Sequence, residues 1–385
     1  MMGVNTRKGV EMSTYYSLEP ILSKKAKYNM IIGMRSNGKT YACLKHSIEE
    51  YWKNGSEVAY IRRYREDFRG KRGEQLFAAL VENDEISKIT DGEWTGIKYY
   101  SYRWYLTKKS PNGDEIRAEK PFAYGFSITE MEHDKSVSYP LIRTVIYDEF
   151  ITRQYYLNDE FVIFCNCLST IIRLRTDVTI FMLGNTVNKY CPYFKEMGLK
   201  HIEQMKPGSI DTYKTVKGLR IAVEYCATDN TTKKSRPSDI YFSFDNPKLE
   251  MITGGVWELD IYPHLPCRYT PNDVIFSYFI EFDGQLLQCE VVQFNATEIF
   301  GEASDSSICF TYIHRKSTPL KYPDSDLIFS TRFDPRPNWF RNIKKPVCDI
   351  DRRLSKFFHN YKVFYQDNEV GELVRNYLIY CIKDM

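Results

Sequence analysis

The sequence predicts an α/β protein built on a mostly parallel sheet, with a second, smaller α/β domain behind it. Three observations carry this. Short apolar runs alternate with helical stretches over the first two hundred residues, the order that covers a parallel sheet with helices. Two of the runs, Leu141–Tyr147 (Arg143 and Thr144 apart) and Val178–Leu183, are nearly continuous in apolar residues, as strands buried on both faces are. The length, 385 residues, favours two domains with sizeable cores.

Taken in order, residues 1–27 read as a polar tail and lead-in. Tyr28–Ile32 is a strand that runs into a Gly-containing loop, and Lys39–Trp52 a helix stopped at Asn54-Gly55. Val58–Ile61 is a second strand, ending in the basic stretch Arg62-Arg63-Tyr64-Arg65, with Arg69, Lys71 and Arg72 beyond it. Residues 97–106 and 115–127 flank Ser110-Pro-Asn-Gly-Asp114, whose Asn-Gly predicts a hairpin inserted into the domain. A helix over Glu160–Arg173 separates the two buried strands. Periodicity fades over 206–255, where Lys, Thr, Ser, Asn, Pro and Gly collect, so the first domain is placed at 28–205 and a connecting region at 206–255.

The last domain, 256–385, opens with strands at Ser277–Asp283 and Leu286–Phe294, joined at Asp283-Gly284, and a third at Ile308–Ile313. It closes on a helix whose apolar stripe is Val370, Leu373, Val374, Tyr377, Leu378 and Cys381, behind an Asp367-Asn368 cap.

Composition narrows the classes. With 43% hydrophobic and 27% charged residues, the chain reads as an ordinary globular protein, rich in Tyr and Phe. A formal charge of +3 does not by itself argue for nucleic acid, but the positive excess lies in the first two thirds and the last third is net negative. The ten Cys are scattered, with no CxxC pair, and read as reduced intracellular thiols. The N-terminus lacks the apolar core of a signal peptide, no run has the length of a membrane span, and Met12 offers a second start. A cytosolic protein is expected.

The chemistry is concentrated in Gly33-Met34-Arg35-Ser36-Asn37-Gly38-Lys39-Thr40, which fits G-x-x-x-x-G-K-[ST] between a strand and a helix. Such a loop wraps backbone N–H groups around phosphates, brings Lys39 to the β and γ oxygens, sets Thr40 on Mg²⁺ and adds the positive end of a helix. A Gly-rich turn with a chance Lys is the bland alternative, and the flanking strand and helix weigh against it. Asp148, at the end of the strand Thr144–Tyr147, is the acid that would hold Mg²⁺, and Glu149 beside it the general base that would polarise water. Gly184-Asn185 follows the next strand, where Asn185 is either a γ-phosphate contact or a turn former. Arg173 and Arg175 read as helix-end cations or as a finger reaching a neighbouring subunit.

With these pieces in order, the chain resembles the DNA packaging ATPases of small protein-primed podophages, the Salasvirus-like group. The resembling segments are Gly33–Thr40, Ala59-Tyr-Ile-Arg-Arg-Tyr-Arg65, Lys135-Ser with Tyr139-Pro140, Thr144–Phe150, Arg173-Leu-Arg175, and Gly184-Asn185 with Pro192-Tyr-Phe194. The resemblance implies a P-loop ATPase domain of the ASCE or RecA-like kind and an RNase H-like C-terminal domain, a nuclease fold without its active site. It implies ATP and Mg²⁺, a homomeric and pentameric ring on the portal of a procapsid, double-stranded DNA drawn through its centre, and an adaptor RNA among the possible partners. The setting is the host cytoplasm, with no place in the mature virion.

By the same resemblance Arg173 and Lys135 act in trans on a neighbour's nucleotide, and Arg65, where the family has Lys, faces the DNA channel with Arg69, Lys71 and Arg72 close by. Glu281, Asp283, Glu290 and Glu372 are the carboxylates on which an active nuclease would draw. The alternatives are a full large terminase that cuts DNA and a nucleotide-gated structural protein that does not hydrolyse.

Overall fold

The structure is a computed structural model and describes residues 16–130, 137–153, 156–157, 159–227, 257, 260–265, 268–295, 307–321, 323–340 and 342–383. The chain divides into two compact units, Met1–Glu258 and Leu259–Met385.

In the first unit the elements are α1 (Glu19–Leu22), β1 (Tyr28–Gly33), α2 (Lys39–Asn54), β2 (Glu57–Arg62), α3 (Lys71–Gln75), α4 (Ala78–Glu82), α5 (Glu85–Ile89), β3 (Gly96–Tyr100), β4 (Arg103–Lys109), β5 (Glu115–Arg117), β6 (Ala123–Ser127), β7 (Ile142–Asp148), α6 (Glu160–Ile172), β8 (Thr179–Asn185), α7 (Pro192–Glu196), β9 (Ser209–Lys214) and β10 (Arg220–Tyr225). The sheet runs β3-β4-β6-β2-β7-β8-β1-β10-β9, with β5 added to β4. From β6 to β10 along that order every pairing is parallel.

Strand periodicity divides the core in two. Ile31, Ile146, Phe181 and Leu183 face α2 through Cys43, Leu44 and Ile48. Met30, Ile32, Val145, Tyr147 and Met182 face α6 through Phe164, Cys167, Leu168 and Ile171. Side chains alternate across a strand, so a run apolar at every position fills both layers. The α/β class read from the sequence is the one observed.

Two sequence expectations are corrected. The stretch 97–106 is not one arm of a hairpin but most of two strands, β3 and β4. They turn at Ser101-Tyr102, where both residues take positive φ (48° and 62°) without a glycine to signal it. The Asn-Gly turn joins β4 to β5, and β6 enters the main sheet beside β2. Second, residues 209–225, expected to be connecting, form β9 and β10, and β10 pairs with β1 from Tyr28↔Ile221 to Ile32↔Tyr225. The interspersed polar residues of β9, an edge strand, hid this pattern. The rest of the connecting region, including Thr231–Pro237, lies outside the described residues.

The second unit holds β11 (Val274–Phe282), β12 (Gln285–Asn295), β13 (Ser307–Arg315), β14 (Ile328–Ser330), β15 (Trp339–Phe340), α8 (Asp349–His359), β16 (Val363–Tyr365) and α9 (Asn368–Lys383). β11 to β13 form an antiparallel meander, β14 lies parallel to β11, and β15 parallel to β14. That order and direction are those of an RNase H-like sheet, here extended by β16 parallel to β13. The Val370 amide donates to Asp367 Oδ1 at 2.8 Å, the expected cap. Among the described residues no helix is long and apolar enough to cross a membrane.

Candidate nucleotide site

Parallel register brings the chemistry to one edge. Gly33 stands opposite Asn185, Asp148 opposite Leu183, and Tyr147 opposite Ile61, so β1, β8, β7 and β2 all end at the same crevice. β8 lies between the loop-bearing strand β1 and the acid-bearing strand β7, which sets Asn185 between Lys39 and Glu149. The crevice has a volume of about 760 Å³ and is lined by Arg35 to Tyr41, Arg62, Asp148, Glu149 and Asn185 among others.

The loop turns through Ser36 (φ 60°) and Gly38 (φ 89°) and feeds directly into the first turn of α2. Gly38 supplies a left-handed backbone without the cost of a Cβ. Lys39 is 6% exposed. Its Nζ donates to the Met34 carbonyl (2.8 Å), Asn185 Oδ1 (2.7 Å) and Asn37 Oδ1 (3.4 Å). Burial lowers its pKa from the ordinary value, while Cys226 and Asp148 pull the other way.

The acids are held differently. Asp148 Oδ2 accepts from Tyr60 OH (2.7 Å) and Thr40 Oγ1 (3.2 Å), and Oδ1 from the Glu149 amide (2.9 Å). A hydroxyl and a carboxylate oxygen side by side on an open crevice suit a hard cation that keeps most of its waters. Glu149 has φ 57° and a side chain 57% exposed, with Oε2 2.6 Å from Arg62 Nη2.

The structure therefore brings together Gly33, Arg35, Ser36, Asn37, Gly38, Lys39, Thr40, Asp148, Glu149 and Asn185. Arg173 lies elsewhere, capping the far end of α6 at φ 56°, with Nη2 donating to the Val137 carbonyl at 3.0 Å. Lys135 lies outside the described residues. Arg65 pairs with Glu130 (2.9 Å) and its Nε donates to Tyr102 OH (2.6 Å), Arg69 pairs with Glu66, Lys71 opens α3, and Arg72 donates to the Glu66 carbonyl. All four follow β2 and do not line the crevice.

Tyr60, Arg62 and Arg63 escaped the sequence reading as site residues, although the basic run itself was visible. Tyr60 and Arg62 point to one side of β2 and reach Asp148 and Glu149.

In the second unit the four carboxylates are dispersed. Glu281 accepts from Ser330 (2.8 Å) and pairs with Arg332 (3.2 Å), Glu290 accepts from Tyr269 and Gln288, Glu372 from Tyr262 (2.8 Å), and Asp283 sits in the β11–β12 turn. Among the described residues no group of three or more His, Cys, Asp or Glu could hold a metal.

A parallel sheet with this loop, this acid pair and an intervening strand defines the P-loop class of nucleotide-binding folds. Residues 10–92 and 115–204 match the family of the podovirus DNA encapsidation protein (Gp16). It is 28% identical over 174 residues to the DNA packaging protein of Bacillus phage B103, 44% of this chain and 48% of that protein. To the DNA packaging protein of Bacillus phage phi29 it is 26% identical over 188 residues, 48% of this chain and 50% of that protein. These matches span about half the length of the curated relatives. The fold is shared with a chain of the bacteriophage Phi-29 viral genome packaging motor assembly, at TM-score 0.52 and 18% identity, over 96% of this chain and 99% of that one.

Proposed function

We propose that this chain is an ATP-driven double-stranded DNA translocase that packages a viral genome into its procapsid. The observation that carries the reading is the meeting of Lys39 and Thr40 with Asp148, Glu149 and Asn185 at one sheet edge. The family match and the relatives' role in DNA packaging supply the cargo.

ATP is the substrate, its phosphates seated on the loop's backbone amides and the N-terminus of α2. Lys39 leaves Met34 and Asn185 for the β and γ oxygens. Thr40 and Asp148 would hold Mg²⁺, which when bound neutralises phosphate charge. Glu149, released from Arg62, takes a proton from the attacking water. The water oxygen bonds to the γ-phosphorus, the bond to the bridging oxygen breaks, and ADP leaves.

Arg173 and Lys135 act from a neighbouring copy in a closed homomeric ring, pentameric on the family's pattern. Arg65, Arg69, Lys71 and Arg72 grip DNA phosphates with little sequence preference. The ring works in the host cytoplasm on the procapsid portal, with an adaptor RNA as a further candidate partner. The RNase H-like unit, 256–385, serves without cutting DNA, in keeping with its engaged carboxylates.

The test mixes wild-type and Arg173→Ala subunits at fixed total concentration. Turnover is expected to fall faster than the mutant fraction rises. A linear decline removes the shared site, and Glu149→Gln that still hydrolyses ATP removes the hydrolytic reading.

A further inference from the structure

Arg63 has no part in the chemistry above, yet it is among the most closely tied side chains of the first unit. It is 7% exposed and its partner Glu160 2%. Nε and Nη2 take both Glu160 oxygens at 2.9–3.1 Å. Nη1 donates to the Glu149 carbonyl at 3.1 Å and Nη2 to the Phe150 carbonyl at 2.9 Å. The guanidinium lies over the Tyr156 ring, 5.3 Å from its centre. Glu160 also accepts from the Leu157 amide (2.7 Å), Tyr193 OH (3.0 Å) and Tyr147 OH (3.2 Å).

A buried ion pair is a poor source of stability, because apolar residues of the same volume often do as well. What a fully satisfied buried network supplies is one geometry. The backbone it grips identifies that geometry. Glu149 sits at φ 57°, a left-handed conformation that a residue with a side chain keeps only where its surroundings impose it. The two carbonyls that Arg63 holds are those of Glu149 and the residue after it. On the other side Glu160 is the first residue of α6, whose C-cap is Arg173, itself at φ 56°. One ion pair thus joins the strained backbone of the acid to the helix that presents Arg173, about 20 Å of helix away at 1.5 Å per residue.

We propose that Arg63 and Glu160 are the positioning pair of the hydrolytic centre, fixing the Glu149 backbone and coupling it to α6. This rests on the reading of Glu149 as the general base. The bland alternative is a clamp that holds α6 against the sheet, and it predicts that activity follows stability.

The experiment uses the full chain with Arg63→Lys and, separately, the double variant Arg63→Met/Glu160→Leu. Melting temperature, affinity for a fluorescent ATP analogue, kcat and KM are measured for each. Lysine keeps the charge for Glu160 but has no fork to reach both carbonyls. The double variant replaces the ion pair with apolar volume. Both are expected to bind nucleotide and to keep KM within about twofold, with kcat down about 10- to 100-fold, the size of effect a misplaced catalytic group produces. In the double variant the melting temperature recovers and kcat does not.

Wild-type kcat in either folded variant overturns the proposal, as does kcat that returns with the melting temperature, or a loss confined to KM. If the double variant does not fold, Arg63→Lys decides. A wild-type chain that does not hydrolyse ATP, or a Glu149→Gln variant that does, takes down the hydrolytic reading and this proposal with it. An active wild type, an inactive Glu149→Gln and a fully active Arg63→Lys take down the proposal alone.

Discussion

Asn185 gives the most direct test that the crevice receives phosphates. Its Oδ1 is the nearest of the three acceptors around Lys39 Nζ, at 2.7 Å against 2.8 Å and 3.4 Å. The ammonium is buried and its pKa already lowered by burial, so each acceptor offsets part of the cost of keeping that charge out of water. Asn185→Ala leaves a buried charge short of a partner, which costs about 1.5–3 kcal/mol. At about 2–4 °C per kcal/mol for a unit of this size, the nucleotide-free variant melts about 3–12 °C below wild type.

ADP changes the comparison. On the proposed reading its phosphates take over the ammonium in both proteins, and it lacks the γ-phosphate that Asn185 would meet. The penalty then belongs to the free state alone, so the melting gap narrows on adding saturating ADP. Affinity for ADP rises correspondingly, about tenfold for each 1.4 kcal/mol removed from the free state alone. Scanning calorimetry with and without ADP and Mg²⁺, together with a fluorescent-nucleotide titration, reads both quantities. An equal gap in the two conditions with unchanged affinity refutes the exchange of Asn185 for phosphate at Lys39.

Two further outcomes follow from local geometry. A Cβ on Gly33 would stand 2.8 Å from Cys226 Cβ, which is fixed because the Cys226 amide donates to the Ile32 carbonyl at 2.8 Å. Gly33→Ala therefore displaces the loop, destabilises by about 1–3 kcal/mol and weakens nucleotide binding, and wild-type affinity in a titration counts against the fit. In the second unit His314 Nε2 lies 3.6 Å from Glu290 Oε2, and this pairing raises the imidazole pKa above 6.5 and lowers the carboxyl pKa below 4.5. The His314 contribution is complete below 6.5 and lost as pH rises through its raised value. The Glu290 contribution is present above 4.5 and lost as pH falls through its lowered value. Stability is thus greatest between the two, and thermal melts across pH are expected to show that plateau flattened in His314→Gln.

Much of the crevice was legible because its parts are local in sequence. The loop residues 33–40 are contiguous, and Asp148-Glu149 is read from the apolar strand that precedes it. Parallel pairing then does the rest, since strands of similar length end together. What stayed hidden depends on pairing partners rather than on period. β9 carries Asp211, Thr212 and Lys214 on an edge and looks like a linker, while the Ser101-Tyr102 turn uses positive φ without Gly, Asn or Asp. Glu160 entered the sequence reading only as the first residue of a helix. Its burial followed only from Arg63, 97 residues away in sequence.

The adjacent arginines Arg62 and Arg63 show how a period of two becomes two functions. Successive side chains at the end of β2 point to opposite sides, Arg62 toward Glu149 and Asp148 and Arg63 toward Glu160 at the start of α6. Arg62 is shared among Glu149 (2.6 Å), Asp67 (3.4 Å) and Asp148 (3.8 Å), on a side chain 18% exposed facing a Glu149 that is 57% exposed. A pair so open to solvent is worth up to about 1 kcal/mol. Incoming phosphates at the same crevice can therefore draw Arg62 away and free the carboxylate for water. Arg63 is engaged by the buried Glu160 carboxylate and by the Glu149 and Phe150 carbonyls. The side chain of Glu149 thus has an exposed partner and its backbone a buried one, and on the proposed reading the acid changes partners on substrate binding without losing its aim.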